Sequence, residues 1–365
     1  MVTDRILRRY SMLVMRLLVV VSLVSARPQV RAPKPSNEPN YLSVNRTMTD
    51  AASSLAKCLL TQHEPVIVTL ADSAYADLLA PWTDLVARMG WSQRVIVALD
   101  DSTDAMARAL SYGELFTCTV PFFPLHHVDV VAVHNNIKGQ AARTLPMFTG
   151  LAKFSVLHLL LAAGHGAGGI TLSEMDVLWF MPPWAALASA TPLTSILCLD
   201  NFPAATQSTN AANIGIIHIR HDTAGFAGRF FAHVLGRWWR RLLATSGRAG
   251  LVVGEEQIFL NRELATWPDR DERRRSFGLL NRSQFVNTRL LGAYGRGRYK
   301  VARPKGAALR LVNAGLPHAH LKSSLVAFHA ISLAPKVKRK LLLQLYRGNL
   351  TLDKFAKTPW LALVS

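Results

Sequence analysis

Two acidic residues separated by a single residue, Glu174 and Asp176, follow a run of apolar and β-branched residues in the stretch GGITLSEMDVLWFMPPW. We interpret that run as a buried strand, which places both carboxylates at the rim of a sheet, where open α/β sheets bind ligands. Side chains two positions apart in an extended chain point the same way, so the pair can hold one divalent cation. Oxygen ligands suit Mg²⁺ or Mn²⁺, with phosphate oxygens in other positions. The alternative is that the two acids cap a loop.

Strands and helices alternate on both sides of this motif. Short β-branched or apolar runs predict buried strands at 65–71, 94–100 and 128–133, and helical spacing of apolar residues predicts helices at 74–89, 104–110 and 153–163. The alternation indicates parallel βαβ units, and therefore an α/β fold with a mostly parallel sheet flanked by helices. Asp72, Asp100 and Asp101 then follow the first two strands at the edge where ligands bind.

The composition excludes a largely disordered chain and favours anionic partners. Of the 365 residues, 50% are hydrophobic and 18% are charged, which is enough apolar material for a sizeable core. The formal net charge of +19 favours nucleotides, acidic glycans, membrane surfaces or nucleic acid. We find no RNA-binding signature and no metal-finger spacing, so we predict no nucleic-acid partner. Cys58, Cys118 and Cys198 each lie in an apolar run, which favours buried free thiols and leaves one bridge open.

The first 26 residues predict an address to the secretory pathway. Arg5, Arg8 and Arg9 precede ten apolar or small residues at 17–26, which is typical of a signal peptide and too short for a membrane span. An uncleaved signal anchor is the alternative, and it would be the only membrane contact. Residues 27–62 have a stem composition, 63–350 form the predicted catalytic domain, and 351–365 form a tail. The sequons at Asn45, Asn281 and Asn349 fit a lumenal, Golgi-type glycoprotein.

Two stretches resemble glycosyltransferase family 77, whose members include plant and algal cell-wall xylosyl-, arabinosyl- and galactosyltransferases. They read PVIVTLADSAYADLLAPWTDLVARMGWSQRVIVALDDST and LAKFSVLHLLLAAGHGAGGITLSEMDVLWFMPPW. The family hallmark Ser-Asp-x-Asp-x-x-Trp is matched from Ser173 to Trp179, except that Glu174 stands where the family has Asp. The resemblance implies a GT-A-like fold, a UDP-sugar donor, a Mn²⁺ or Mg²⁺ cofactor, and a glycan or glycoprotein acceptor. It also implies transfer with retention at the sugar C1.

The resemblance also implies roles for residues outside the acidic pair. It makes His329 a third metal ligand, with His318 and His320 as alternatives, and it places Glu256 and Gln257 at the donor sugar or the acceptor hydroxyl. Asn213 would offer its amide to sugar hydroxyls, and Gly215 would let the backbone approach a ligand. The residues implied to bind the nucleotide-sugar are Thr69, Asp72, Asp101, Lys153, Asn213, Gly215 and Lys336.

Two other functions remain open from the sequence. The Glu174 substitution, and Ala330-Ile331 after His329 where the family has Ala-Asn, are consistent with a catalytically inactive protein that still binds nucleotide-sugar. The basic surface is consistent with a secreted protein that binds polyanions or glycans. Metal-dependent UDP binding distinguishes the transferase from the second of these, since polyanion binding needs no metal and weakens with salt.

Overall fold

The computed structural model describes residues 50–55, 63–73, 75–110, 117–121, 141–189, 194–201, 212–220, 225–245, 255–282, 284–287, 325–330 and 335–349. At 141–148, 166, 239–245, 255 and 335–337 it describes the backbone alone. The predicted strand at 128–133, the rival histidines His318 and His320, the sequon at Asn45 and the N-terminal segment lie outside these ranges.

Within the described ranges the chain forms strands and helices in alternation. The strands are β1 Val66–Ala71, β2 Gln93–Ala98, β3 Thr117–Pro121, β4 Ile170–Ser173, β5 Val177–Trp179, β6 Ile196–Asp200, β7 Ala212–Ile219, β8 Phe277–Leu279, β9 Phe285–Asn287 and β10 Ala327–His329. The helices are α1 Leu79–Arg88, α2 Asp101–Leu110, α3 Ala141–Ala162, α4 Trp184–Ala188, α5 Phe226–Thr245, α6 Glu255–Ala265, α7 Arg270–Ser276 and α8 Pro335–Tyr346. Two 3₁₀ turns, Ala76–Leu78 and His165–Ala167, precede α1 and β4.

The strands pair in two sheets. One sheet has seven strands in the order β3-β2-β1-β4-β7-β6-β8, and the other has three in the order β5-β10-β9. In the larger sheet β1 pairs in parallel with β2, β2 with β3, and β6 with β8. Every residue of β1 and β2 is buried, as expected for parallel strands covered on both faces. The predicted α/β class, with a mostly parallel sheet flanked by helices, is confirmed.

The chain divides into two compact units that interleave along the sequence. The first consists of residues 1–76, 93–170 and 219–260, and the second of residues 77–92, 171–218 and 261–365. In the first unit, α3 packs on α5 through Phe154, whose ring lies 5.9 Å from that of Trp238 and 6.4 Å from that of Phe231. In the second unit, the ring of Trp91 packs edge-on against Trp179 and Trp184.

The predicted elements that fall on described residues are present with shifted ends. The strand predicted at 94–100 ends at Ala98, and the helix predicted at 74–89 is a 3₁₀ turn followed by α1, which Gly90 ends with a positive φ of 91°. The third helix begins at Ala141, twelve residues before its predicted start. Strand β3 was not predicted, although Thr117, Thr119 and Val120 have the β-branched composition of a strand.

The cysteines differ from the predicted set of free thiols. Cys118 on β3 is disulfide-bonded, so the bridge that the sequence left open exists. Cys198 on β6 is free and fully buried, and burial raises the pKa of its thiol because it disfavours the thiolate. In the part of the chain that the structure describes, none of the helices has the length and apolar character needed to cross a membrane.

Candidate metal centre

Three side chains of the second unit, those of Glu174, Asp176 and His329, converge on one point. The Nε2 atom of His329 lies 3.1 Å from Glu174 Oε2 and 3.1 Å from Asp176 Oδ1. One ligand atom from each of the three residues lies within 4.8 Å of the other two. His329 and Asp176 are buried, and the Glu174 side chain is 28% exposed, so the cluster is open to solvent on the glutamate side.

The backbone brings these residues together through a turn and a pair of short strands. Residues 174–176 form a turn between β4 and β5, in which the amide of Val177 donates to the carbonyl of Glu174 at 3.1 Å. The prediction that the two acids lie in an extended chain is therefore wrong, although their carboxylates do converge. Strand β10 runs antiparallel to β5 with His329 opposite Val177, and the amide of Ala330 donates to the carbonyl of Asp176.

Strand β7 lies beside β4 and carries Gly215, which contacts the ring of His329. The amide of Glu174 donates to the carbonyl of Gly215 at 2.9 Å, while Thr171 Oγ1 lies 2.8 Å from His218 Nδ1. As β4 advances from 171 to 174 its neighbours on β7 fall from 218 to 215, so the two strands are antiparallel. The start of β7 therefore lies beside the carboxyl end of β4, where the acidic pair begins.

Asn213 fixes the orientation of the imidazole. Its Oδ1 atom lies 2.9 Å from His329 Nδ1 and also accepts the amide of Gly215 at 2.9 Å. An amide oxygen only accepts, so Nδ1 is the protonated nitrogen that donates to it. This bond turns Nε2 toward the two carboxylates, as outer-shell partners of ligating histidines do. The contact between the Asn213 amide and a sugar hydroxyl stays a prediction. In the structure the oxygen of that amide accepts a hydrogen bond from His329.

Gly215 leaves space for the imidazole ring. A Cβ atom at this position would lie 2.1 Å from Cε1 and 2.2 Å from Nδ1 of His329, well inside contact distance. Close approach of the histidine therefore accounts for a glycine here, while the implied approach of a ligand to the same backbone stays a prediction.

The electrostatics of the cluster favour a positive charge between the carboxylates. Burial lowers the pKa of His329, but the Asp176 and Glu174 carboxylates outweigh burial and raise it to about 9. Burial and the Glu174 charge raise the pKa of Asp176, yet His329 and Lys338 outweigh them and the net shift is downward. Without a metal, the proton on His329 is thus stabilised where a divalent cation would bind.

The residues fit a small divalent metal ion. Neighbouring ligands of an octahedral ion with bonds of about 2.1 Å are about 3 Å apart, and both nitrogen–oxygen distances here are 3.1 Å. Two carboxylate oxygens and one imidazole nitrogen, which Asn213 orients through the other ring nitrogen, form a mixed donor set of the kind that binds divalent metal ions. The longer side chain of Glu174 reaches the same point as Asp176.

Lys338 is a further residue at this site, which the sequence analysis missed. Its Nζ atom lies 2.5 Å from Asp176 Oδ2, the oxygen that does not face His329. The implied lysine, Lys336, lies in the first turn of the same helix, α8, and its side chain is not described. Lys338 shares the helix face of the buried Leu341, Leu342 and Leu345, since positions three, four and seven apart align. That spacing is the signal that could have identified it.

The remaining candidates lie in the first unit, around two places. Asp72 and Asp101 follow β1 and β2 as predicted, and the amide of Ser73 donates to Asp100 Oδ2 at 2.6 Å, which joins the two strand ends. Burial raises the pKa of Asp100, but the hydrogen bonds from Thr103 and Ser73 outweigh burial, so the net shift of this pKa is downward. Thr69 is fully buried inside β1, whereas Asp101 is exposed at the start of α2.

Lys153 and Glu256 lie together in the same unit. Lys153 Nζ is 3.9 Å from Glu256 Oε1, the lysine is only 2% exposed, and the glutamate is 13% exposed. The pair joins the middle of α3 to the first turn of α6, on which Gln257 is half-buried. A Cβ atom on Gly150, one turn before Lys153, would lie 2.7 Å from the Glu256 Cβ, so the two helices approach closely here.

Comparisons with known proteins give structural likeness only. No family model matches the chain, and no curated protein sequence matches it. One similar solved structure is a galactosyltransferase, LgtC, in complex with donor and acceptor sugar analogs, with 11% sequence identity and a TM-score of 0.45 over 78% of this chain and 96% of that chain. A second is mouse xyloside xylosyltransferase 1, with 9% identity and a TM-score of 0.40 over 74% of this chain and 98% of that chain. A third is the glycosyltransferase GlyE of Streptococcus pneumoniae TIGR4, with 12% identity and a TM-score of 0.46 over 82% of this chain and 62% of that chain. At these identities and TM-scores the likeness decides nothing about the reaction, which has to be inferred from the residues of the site.

Proposed function

We propose that the chain is a metal-dependent glycosyltransferase that moves a pentose or galactose from a UDP-sugar to a glycan or glycoprotein acceptor, with retention at C1. The observation that carries this proposal is the convergence of Glu174, Asp176 and His329 at the carboxyl end of β4. In α/β folds this edge is where ligands bind, and a centre of two carboxylates and one histidine leaves positions for diphosphate oxygens.

Each residue of the centre has a defined task in this proposal. When bound, the metal ion neutralises the diphosphate and makes UDP a better leaving group. Glu174, Asp176 and His329 hold it, and Asn213 keeps the ring of His329 in the ligating orientation. The +19 net charge favours approach of the anionic donor and is compatible with an acidic acceptor.

Several finer features of the proposal rest on the resemblance to glycosyltransferase family 77. They are the UDP-linked donor, the pentose or galactose, retention, and the roles of Glu256 and Gln257 at the sugar. A secretory, Golgi-type location rests on the N-terminal segment and the sequons, and the disulfide at Cys118 supports it because disulfides persist in oxidising compartments.

UDP release is the measurement that tests this function. The full chain is incubated with UDP-galactose, UDP-xylose, UDP-arabinose and UDP-glucose, with Mn²⁺ and with chelator. We expect metal-dependent release from one donor, and we expect Asp176→Asn to lower it by about 100-fold or more because charge stabilisation of the leaving group is lost.

Asp84→Asn is the matched control, since Asp84 is an exposed acid that pairs with Arg88 on the surface of α1. It should release UDP at the wild-type rate. If no donor is turned over, calorimetry with UDP and Mn²⁺ decides: binding indicates an inactive nucleotide-sugar-binding protein, and the absence of binding contradicts the proposal. Salt-sensitive, metal-independent glycan binding would favour the polyanion-binding alternative.

A further inference from the structure

The two oxygens of Asp176 face different partners. Oδ1 lies 3.1 Å from His329 Nε2, inside the metal centre, whereas Oδ2 lies 2.5 Å from Lys338 Nζ. The carboxylate is 8% exposed and the lysine side chain 20% exposed, so this contact is largely shielded from water. A close ammonium contact in such a place persists better than a surface ion pair, because little solvent competes for either charge.

Helix α8 holds Lys338 against the motif through the residues that follow it. Leu341, Leu342 and Leu345 are buried along the same face, and the hydroxyl of Tyr346 donates to the carbonyl of Met175, the residue between the two acids, at 3.4 Å. Arg339, next to Lys338, pairs with Asp77 just before α1. The ammonium group is thus carried by an anchored helix and not by a loop.

We propose that Lys338 is a positioning residue that keeps Asp176 a one-oxygen ligand and thereby makes the centre select small six-coordinate ions such as Mn²⁺ against Ca²⁺. This inference rests on the proposed metal-dependent function. Ca²⁺ takes six to eight oxygen ligands and often binds a carboxylate through both of its oxygens. With Oδ2 bound to an ammonium group, Asp176 can give only Oδ1, which suits an ion of lower coordination number.

The ratio of Ca²⁺ to Mn²⁺ dissociation constants isolates this effect from simple charge. Removing the ammonium changes the electric field on any divalent ion at the centre to the same extent, so that contribution cancels in the ratio. The freedom of Asp176 to bind through two oxygens does not cancel, since it benefits Ca²⁺ and loosens the geometry that Mn²⁺ needs.

Calorimetric titration of Mn²⁺ and Ca²⁺ into the full chain tests the inference, with the electron paramagnetic resonance signal of free Mn²⁺ as a second readout. We expect Lys338→Met to lower the ratio about tenfold, the low end of the usual effect of outer-shell changes on metal affinity. Lys338→Gln provides a second variant should the methionine variant not fold. Arg347→Met is the matched control, because Arg347 is an exposed cation just after the end of α8, and it should keep the wild-type ratio.

The possible outcomes separate this inference from the proposed function. If folded Lys338 variants bind both ions with the wild-type ratio, the inference is wrong while the metal centre stands. If the wild-type chain binds neither ion, the metal-dependent function fails and the inference fails with it. A lowered ratio in the Lys338 variants alone supports the assignment.

Discussion

The imidazole ring of His329 lies directly against the backbone of Gly215, and this contact makes the smallest possible substitution informative. Gly215→Ala would place a methyl group 2.1 Å from His329 Cε1, so the ring has to move. We expect a loss of about 1–3 kcal/mol in the free energy of unfolding, as for other overpacked cores, and about tenfold weaker Mn²⁺ binding because the ligand is displaced. Urea unfolding and calorimetry measure the two effects.

Gly228→Ala is the control for this variant, because a Cβ atom at Gly228 on α5 meets nothing within 4 Å. Alanine favours a helix, so that variant should be unchanged or slightly more stable. Wild-type Mn²⁺ affinity in Gly215→Ala would contradict the placement of His329 as a ligand.

At the level of single residues, the sequence predicts which side chains converge better than it predicts which contacts each one makes. Glu174, Asp176 and His329 converge as expected, since acidic residues after a buried strand and a resemblance to known motifs are local signals. The contact of Asn213 with a sugar stays a prediction, and the structure adds that its oxygen orients His329 across 116 positions of sequence. Such a partnership depends on how distant strands pack, which residue type and spacing do not encode.

Among the helices, α3 and α6 are joined by a charge pair away from solvent. Lys153→Met would leave Glu256 without its buried cation, and we expect a loss of about 3 kcal/mol in the free energy of unfolding. Lys153→Met combined with Glu256→Gln should lose less than the sum of the single variants, since the double variant removes both charges of the pair together. Urea unfolding of the four proteins forms the double-mutant cycle, and strictly additive losses would show that the two side chains do not interact.

The same pair bears on the predicted catalytic role of Glu256. Glu256 lies in the first turn of α6, where acidic residues are favoured by the helix dipole. The carboxylate also has a structural partner in Lys153, so a loss of activity in Glu256 variants has to be read beside their stability.

The element predictions were best where apolar periodicity was strong, as in β1 and α1, and β3 was missed because its run is only five residues long.

Over the whole molecule, the disulfide at Cys118 is the feature that environment controls. We expect a reductant to lower the free energy of unfolding by about 2–5 kcal/mol, because the crosslink restricts the unfolded chain. Urea unfolding with and without reductant measures this, and Cys118→Ala should be insensitive to reductant. Cys198→Ala should respond as the wild type does, since that buried thiol is free. Equal stability under both conditions would contradict a stabilising disulfide.

The class of the fold was predictable because alternating strand and helix patterns extend over much of the chain. The division into two units was not, since each unit is assembled from three separate segments of sequence. Composition and the order of elements can be predicted from local stretches of sequence. The grouping of segments into units depends on contacts between residues that are far apart in the sequence.

The residues of the centre are also synthesised far apart in time. Asp176 and Lys338 are 162 positions apart, and His329 follows both acids by more than a third of the chain. A ribosome synthesises the chain from its N-terminus. A nascent chain therefore carries Glu174 and Asp176 well before His329 and Lys338 are added. A premature stop codon before residue 325 would therefore leave the acidic pair without His329, and the three-residue cluster can form only after residue 329 has been synthesised.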